Sequence, residues 1–420
     1  MGDYFTIKNI TAGLGIALLS AGAIHLDWVG WVNPLVNTIL GLLTFYWLLM
    51  HTQKIWFWAG FGIGVTWFWW LGLSFANYGL GWAVPLIIPT VGLVYGVLFL
   101  MIAKVAEWSA TRFHYPLLDL GIKALGLLLL SYVHPLSFDW FKPELVFTNS
   151  YVGIQKWQFA LVLAAIVLAI HKRNLLFLLV AILAYPLNTH LDATPLPKHS
   201  IVIANSMTTM EDKWNPSLRS HHIDRVFKQI DRAIAEKKRL IIFPESIFAF
   251  FLNMEPELMT ALEAYSNEIS IVTGALYWDP EGVPRNSTYI FDQGRFQVAN
   301  KAVLVPFGEY NPLPRWMGDM INDIFFDGAP DYVASAGVTD YTLNGVSYRN
   351  AICYEGTSEA LYEGEPQQMI LISNNGWVTP SIEPTLQKIL LQYYSKKYGT
   401  TIYHAANMSP SYTVHNGKIY

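Results

Sequence analysis

Before about residue 190 the chain is a succession of apolar segments, too long and too numerous for an ordinary soluble domain. They cover 7–25, 34–50, 55–76, 82–103, 117–133, 157–170 and 174–189. Most are long enough, or nearly so, to cross a hydrocarbon core of about 30 Å at about 1.5 Å of helix per residue. Charged residues make up 14% of the chain, against roughly 25% in soluble domains, and the deficit is concentrated here. The expectation is an α-helical transmembrane bundle of about seven spans within residues 1–191.

Tryptophan placement fits that expectation. Nine of the sixteen fall within the first 82 residues. Trp28, Trp31 and Trp82 sit near proposed span ends, where indole rings favour the headgroup layer. Trp56, Trp58, Trp67, Trp69 and Trp70 either join such a belt or pack between helices. Gly60 and Gly64, four residues apart in one span, suit close helix packing. With the N-terminus inside, the inner connections carry Lys8, Lys54, Lys104, Arg112, Lys172 and Arg173, and the outer ones only Lys142 and Lys156. Basic residues concentrate on the cytoplasmic side, so seven spans place everything after 190 outside the cytoplasm. The N-terminal stretch lacks the pattern of a removable signal. A net charge of −4 with no basic run argues against a nucleic-acid surface. The single cysteine excludes an intramolecular disulfide.

The texture changes at a proline-rich polar linker, residues 192–199, and residues 200–420 read as a soluble α/β domain. Short apolar runs alternate with amphipathic helices. Strands are expected at Ile201–Ala204, Leu240–Phe243, Ile269–Gly274, 287–292, 295–299, Ser347–Cys353, Met369–Ser373 and 400–406. Helices are expected at 216–237, 256–267 and 382–397, and a hairpin at Asn416-Gly417. The first helix carries Leu218, Ile223, Val226, Phe227, Ile230 and Ile234 at helical spacing.

Three residue types in this half could act together. Glu245 follows a strand stopped by Pro244, where open α/β sheets place ligand sites. Cys353 ends another strand, and Lys301 lies between strand-like runs. A carboxylate can take a thiol proton, the thiolate can attack a carbonyl, and an ammonium can stabilise the oxyanion that develops. Each residue also has an ordinary reading: a buried apolar cysteine, a surface carboxylate, a solvated lysine. One fold edge could gather all three, and composition permits that without proving it.

The phrases Pro244-Glu245-Ser246, Lys301 with Leu304-Val305-Pro306-Phe307-Gly308-Glu309-Tyr310, and Ile352-Cys353-Tyr354-Glu355 resemble those of the nitrilase (carbon–nitrogen hydrolase) superfamily. Among its branches the chain is most similar to the membrane-bound apolipoprotein N-acyltransferases. Lys213-Trp214-Asn215-Pro216, Arg285-Asn286-Ser287 and Ser373-Asn374-Asn375-Gly376-Trp377 agree with that branch. The resemblance implies a nitrilase-like α-β-β-α sandwich following the membrane bundle. It implies a triad of Glu245 as base, Lys301 as oxyanion support and Cys353 as nucleophile. Glu309, Tyr354 and Glu355 would support them, and Trp214, Asn286, Asn374 and Trp377 would meet substrate.

The implied reaction needs no cofactor or metal. A phospholipid donates a fatty acyl chain to Cys353, and an amine acceptor such as a lipoprotein N-terminus receives it. The implied location is the bacterial inner membrane, with the catalytic domain on the periplasmic side. Ala302-Val303 where a basic pair is usual, Asn375 where aspartate is usual, and an end at Tyr420 without a further span depart from that pattern. They bring in an alternative resemblance, to TraB-type conjugal transfer proteins of unknown acceptor. A membrane-tethered amide hydrolase is the other alternative. An apolar stripe from Trp316 to Phe326 would either dip into the headgroup layer or pack as ordinary core.

Overall fold

In a computed structural model, residues 4–77, 79–186, 200–313 and 332–420 are described. The expected linker at 192–199 and the stripe from Trp316 to Phe326 lie outside them. The chain forms two compact units, residues 1–189 with 380–393 and residues 190–379 with 394–420.

The first unit is helical: α1 (Ile7–Trp28), α2 (Pro34–Met50), α3 (Gln53–Phe68), α4 (Leu71–Asn77), α5 (Val84–Arg112), α6 (Leu117–Leu129) and α7 (Lys156–Lys172), then a 3₁₀ helix at Leu175–Ala184. Helix therefore occurs at every apolar segment, but seven full-length spans are not shown. Among the described residues, only Ile7–Trp28 and Gly81–Arg112 are long and apolar enough to cross a membrane. A third span is added if α3 and α4, bent by 45°, count as one. The remaining helices are shorter: the 17 residues of α2 rise only about 26 Å, less than the hydrocarbon thickness.

Close packing of α3 on α5 follows from the paired glycines. A Cβ on Gly60 would lie 2.6 Å from the Tyr95 carbonyl oxygen, and one on Gly64 2.9 Å from that of Val91. Trp56, Trp67 and Trp70 are buried between helices, whereas Trp28, Trp31 and Trp82 are exposed. Residues 380–393 group with this unit and make polar contacts inside it. Lys388 Nζ lies 2.6 Å from Asp27 Oδ1, and Asn149 Nδ2 donates to Gln392 Oε1 at 3.0 Å. Tyr393 donates its hydroxyl proton to Glu144, a fully buried carboxylate that also accepts from Ser131 and pairs with Lys156.

The second unit is an α/β domain of two six-stranded sheets. The first holds β1 (Ile201–Ile203), β2 (Leu240–Ile242), β3 (Phe248–Phe251), β4 (Ser270–Trp278), β5 (Pro284–Asp292) and β6 (Arg295–Asn300). The second holds β7 (Asp340–Leu343), β8 (Val346–Ile352), β9 (Gln368–Asn374), β10 (Thr401–Asn407), β11 (Tyr412–His415) and β12 (Lys418–Ile419). Strands β1, β2 and β4 pair parallel, as do β8, β9 and β10; β3 also pairs parallel with β4, and β5, β6, β7, β11 and β12 are added antiparallel.

Alternation along the strands separates two cores. Leu240, Ile242, Val272 and Ile290 face Ile352, Ile370, Ile372 and Tyr403 between the sheets. Ile241, Phe243, Ile271 and Phe291 point the other way. They meet Val226, Ile230 and Ala233 from α9 (Arg219–Ala235), which follows the short α8 (Met210–Lys213), and Met259 and Leu262 from α10 (Pro256–Tyr265). The sequence reading missed β3 and β7. β7 had a signal, since Asn344-Gly345 takes positive φ at both positions (51° and 80°), the geometry of a two-residue hairpin turn.

Candidate active site

Each expected triad residue sits where a strand gives way to a turn. β2 runs through Phe243 and Pro244 to Glu245, and the backbone then turns left-handed at Ser246, with φ 49°. That turn needs Gly274 beneath it: a Cβ there would lie 2.6 Å from Glu245 Cα and 2.6 Å from Ser246 N. β8 ends at Ile352, and Cys353, half-buried, takes φ 54° as the chain enters a 3₁₀ turn. β6 ends at Asn300 and delivers Lys301 into the interior, its main-chain N–H donating to Asn286 O at 3.0 Å.

Glu309 is central to the polar network. Its two oxygens accept from Lys301 Nζ at 2.9 and 2.8 Å. Val305 N–H donates to Glu309 Oε2 at 2.9 Å, and Glu309 N–H donates to Val305 O at 2.9 Å, so the loop closes on its own carboxylate. Asn286 Nδ2 then links the two acids, donating to Glu245 Oε1 at 2.7 Å and to Glu309 Oε1 at 2.9 Å.

Glu355 ties the lysine loop to the cysteine turn. Its Oε2 accepts from the N–H groups of Ala302 and Val303 at 2.8 and 3.0 Å, and its Oε1 accepts from Ile352 N–H at 2.7 Å. Three backbone donors on one buried carboxylate set the position of Lys301 relative to Cys353.

Burial raises the Glu245 carboxyl above its ordinary range. Lys301 opposes that rise, Glu309 adds to it, and Asn286 and Lys213 oppose it. Burial alone would lower Lys301, but Glu309, Glu245 and Cys353 together hold it above its usual value. Glu355 is pushed up to about 7 by burial, against Lys301 and its three N–H donors. The arrangement is a proton acceptor, a held ammonium and a thiol within electrostatic reach of that ammonium, which is what thiol attack on a carbonyl requires.

The residues expected to meet substrate divide into two pairs. Trp214 is 43% exposed and Trp377 half-buried, so both present ring surface. Asn286 and Asn374 are buried, with side chains bonded to neighbouring protein groups. Asn286 spends its amide donors on Glu245 and Glu309. Asn374 Oδ1 accepts from Asn407 Nδ2 at 2.8 Å and Gly376 N–H at 3.3 Å, while its Nδ2 points at Met210 Sδ at 3.4 Å. Both therefore hold neighbouring groups in place. Tyr354 is buried. The sequence reading also left out Lys213, whose Nζ donates to the Glu245 carbonyl oxygen at 3.1 Å. Its only sequence signal is its place in the Lys213-Trp214-Asn215-Pro216 phrase.

Residues 7–189 match the family model described as the apolipoprotein N-acyltransferase integral membrane domain. Over 413 residues the chain is 42% identical to an apolipoprotein N-acyltransferase of Wolinella succinogenes, covering 98% of this chain and 96% of that one. An apolipoprotein N-acyltransferase of Helicobacter pylori is 33% identical over 402 residues, covering 94% and 91% of the two chains. Among solved structures, a variant of the Nesterenkonia AN1 amidase from the nitrilase superfamily aligns with 53% of this chain and 85% of its own, at 14% identity and a TM-score of 0.39. The conjugal-transfer alternative finds no support in these relatives. The match to the Wolinella chain spans nearly the whole of both chains.

Proposed function

Because this chain belongs to the apolipoprotein N-acyltransferase family, we propose that it is a membrane-bound cysteine acyltransferase that N-acylates a lipoprotein. The observation that carries the catalytic part is Cys353 on a left-handed turn within electrostatic reach of Lys301, whose ammonium is held by Glu309 and also feels the charge of Glu245. Glu245 takes the Cys353 thiol proton, and the thiolate attacks the ester carbonyl of a phospholipid. Lys301 stabilises the tetrahedral oxyanion. Collapse breaks the ester C–O bond, and the departing lysophospholipid alkoxide takes the proton from Glu245. The amino group of the acceptor then attacks the thioester, an amide forms, and the amine proton returns the cysteine to its thiol through Glu245.

The bacterial inner membrane is the site of action in this reading, with the catalytic unit on its extracytoplasmic side. Support comes from the basic residues. Lys142 is buried and Lys156 pairs with buried Glu144, so neither of the two basic residues assigned to the outer connections is an exposed charge. A thioester suits two substrates that arrive in turn, because it holds the acyl group while the lysophospholipid leaves.

Intact-mass measurement of the purified full chain after exposure to phospholipid tests the proposal. A fatty-acyl adduct should appear on the wild type, disappear in Cys353→Ala, and be discharged by a diacylated lipopeptide with a free amino terminus. Hydrolysis of small amides with no lipid adduct would replace transfer with the hydrolase alternative.

A further inference from the structure

Glu245 has a second cation at its back. Lys213 ends the short helix Met210–Lys213, whose first turn is capped by the Thr209 hydroxyl accepting from Asp212 N–H at 3.2 Å. Its side chain runs inward, leaving the residue 7% exposed, and its ammonium donates to the main-chain oxygen of Glu245 at 3.1 Å. That oxygen belongs to the peptide joining Glu245 to Ser246, where the chain turns left-handed over Gly274. An uncompensated buried ammonium is costly, so its survival here asks for a reason.

Charge balance supplies one. The cluster holds three carboxylates, buried Glu245 and Glu355 and partly buried Glu309, and two buried ammonium groups, Lys301 and Lys213. Lys301 gives its hydrogen bonds to both oxygens of Glu309. The charged groups acting on Glu245 are Lys301, Glu309 and Lys213, with the Asn286 amide as a neutral donor. Without Lys213, Glu245 would share one ammonium with Glu309 in a water-poor site.

We propose that Lys213 is a positioning residue for acyl transfer, fixing the main chain of Glu245 through its carbonyl and keeping the Glu245 carboxylate ionised through its charge. The base is thereby ready to take the Cys353 proton at neutral pH. Burial lowers Lys213 to about 8, with Glu245 opposing the drop, so it remains charged at neutral pH. This assignment rests on Glu245 acting as the base in the reaction proposed above.

The test uses the full chain in detergent as wild type, Lys213→Met and Lys213→Gln. Cys353 is the only cysteine in the sequence, so its alkylation by iodoacetamide reports one thiol. Alkylation rate and single-turnover acylation from a diacyl glycerophospholipid with a fluorescent chain are each followed from pH 5 to 9. Loss of a nearby positive charge raises the pH at which Glu245 ionises, so the acidic limb should move upward in both variants. A one-unit move is a tenfold rate loss at fixed low pH, recovered as pH rises. Glutamine keeps a donor for the Glu245 carbonyl, so it separates charge from hydrogen bonding and guards against a misfolded methionine variant.

A uniform rate loss with the limb unmoved, or a Lys213→Gln profile identical to wild type, would overturn the assignment. A limb shift in alkylation with no phospholipid adduct on any variant would leave Lys213 in this role and overturn the acyl-transfer reading instead.

Discussion

Glu309 grips the Lys301 ammonium with both carboxylate oxygens, at 2.9 and 2.8 Å, in a site where the lysine is almost wholly buried. A cation held this way does not spend its hydrogen bonds on Glu245, which leaves that carboxylate able to take the thiol proton. Charge-assisted bidentate pairing also fixes direction, which a single contact would not.

Replacing Glu309 with glutamine removes that grip. Lys301 should then pair with Glu245 and lose its aim at the oxyanion. Single-turnover acylation of Cys353 should fall about 10²–10³-fold, the usual cost of losing one oxyanion donor. A near-normal rate would remove Glu309 from the catalytic arrangement.

Gly274→Ala tests the turn that presents Glu245. The added methyl would meet Glu245 Cα and Ser246 N at 2.6 Å, and both are backbone that cannot rotate away. Overpacking of this kind costs about 1–3 kcal/mol. Acylation should fall more steeply than thermal stability, because the displaced residue is the base. A melting temperature and rate both equal to wild type would mean that the turn yields freely.

Glu355 sets a pH dependence of stability with a definite sign. Its carboxyl sits at about 7 in the folded chain against an ordinary value of 4.5, so the folded state keeps a proton that the unfolded state releases. Its contribution is fully present below about pH 4.5 and is lost as pH rises through about 7. Glu245 is raised by burial as well and acts in the same direction. The melting temperature should therefore decline between pH 5 and 8 by more in wild type than in Glu355→Gln. The glutamine variant should also be less stable at every pH, since its amide nitrogen must face at least one backbone N–H. A parallel pair of pH curves would refute the assignment.

Orientation is open to a direct measurement. Alkaline phosphatase fused after Tyr420 should be active and a green fluorescent fusion dark, as expected for a catalytic unit outside the cytoplasm. The reverse result would place the unit inside and change the parity of the membrane crossings.

Local physics made much of this protein legible in advance. Val226, Ile230 and Ile234 mark the buried stripe of α9 because a helix repeats its face every three to four residues. The strand ends at Phe243 and Ile352 put Glu245 and Cys353 at turns because apolar runs stop where the chain leaves the sheet. Gly60 and Gly64 announced a close helix contact because only a missing Cβ permits one. None of these needs knowledge of a distant partner.

What the tertiary structure alone decided involves partners far apart in the chain. Asn286 reaches Glu245 across 41 residues and Glu309 across 23, and the register of β5 against β4 aims it inward. Lys213 meets a carbonyl 32 residues away. Lys388 finds Asp27 across 361, and residues 380–393 group with the helical unit. A side chain's residue type states what it can donate or accept. Sheet register and helix packing choose which group receives it, and those are set by the whole chain at once.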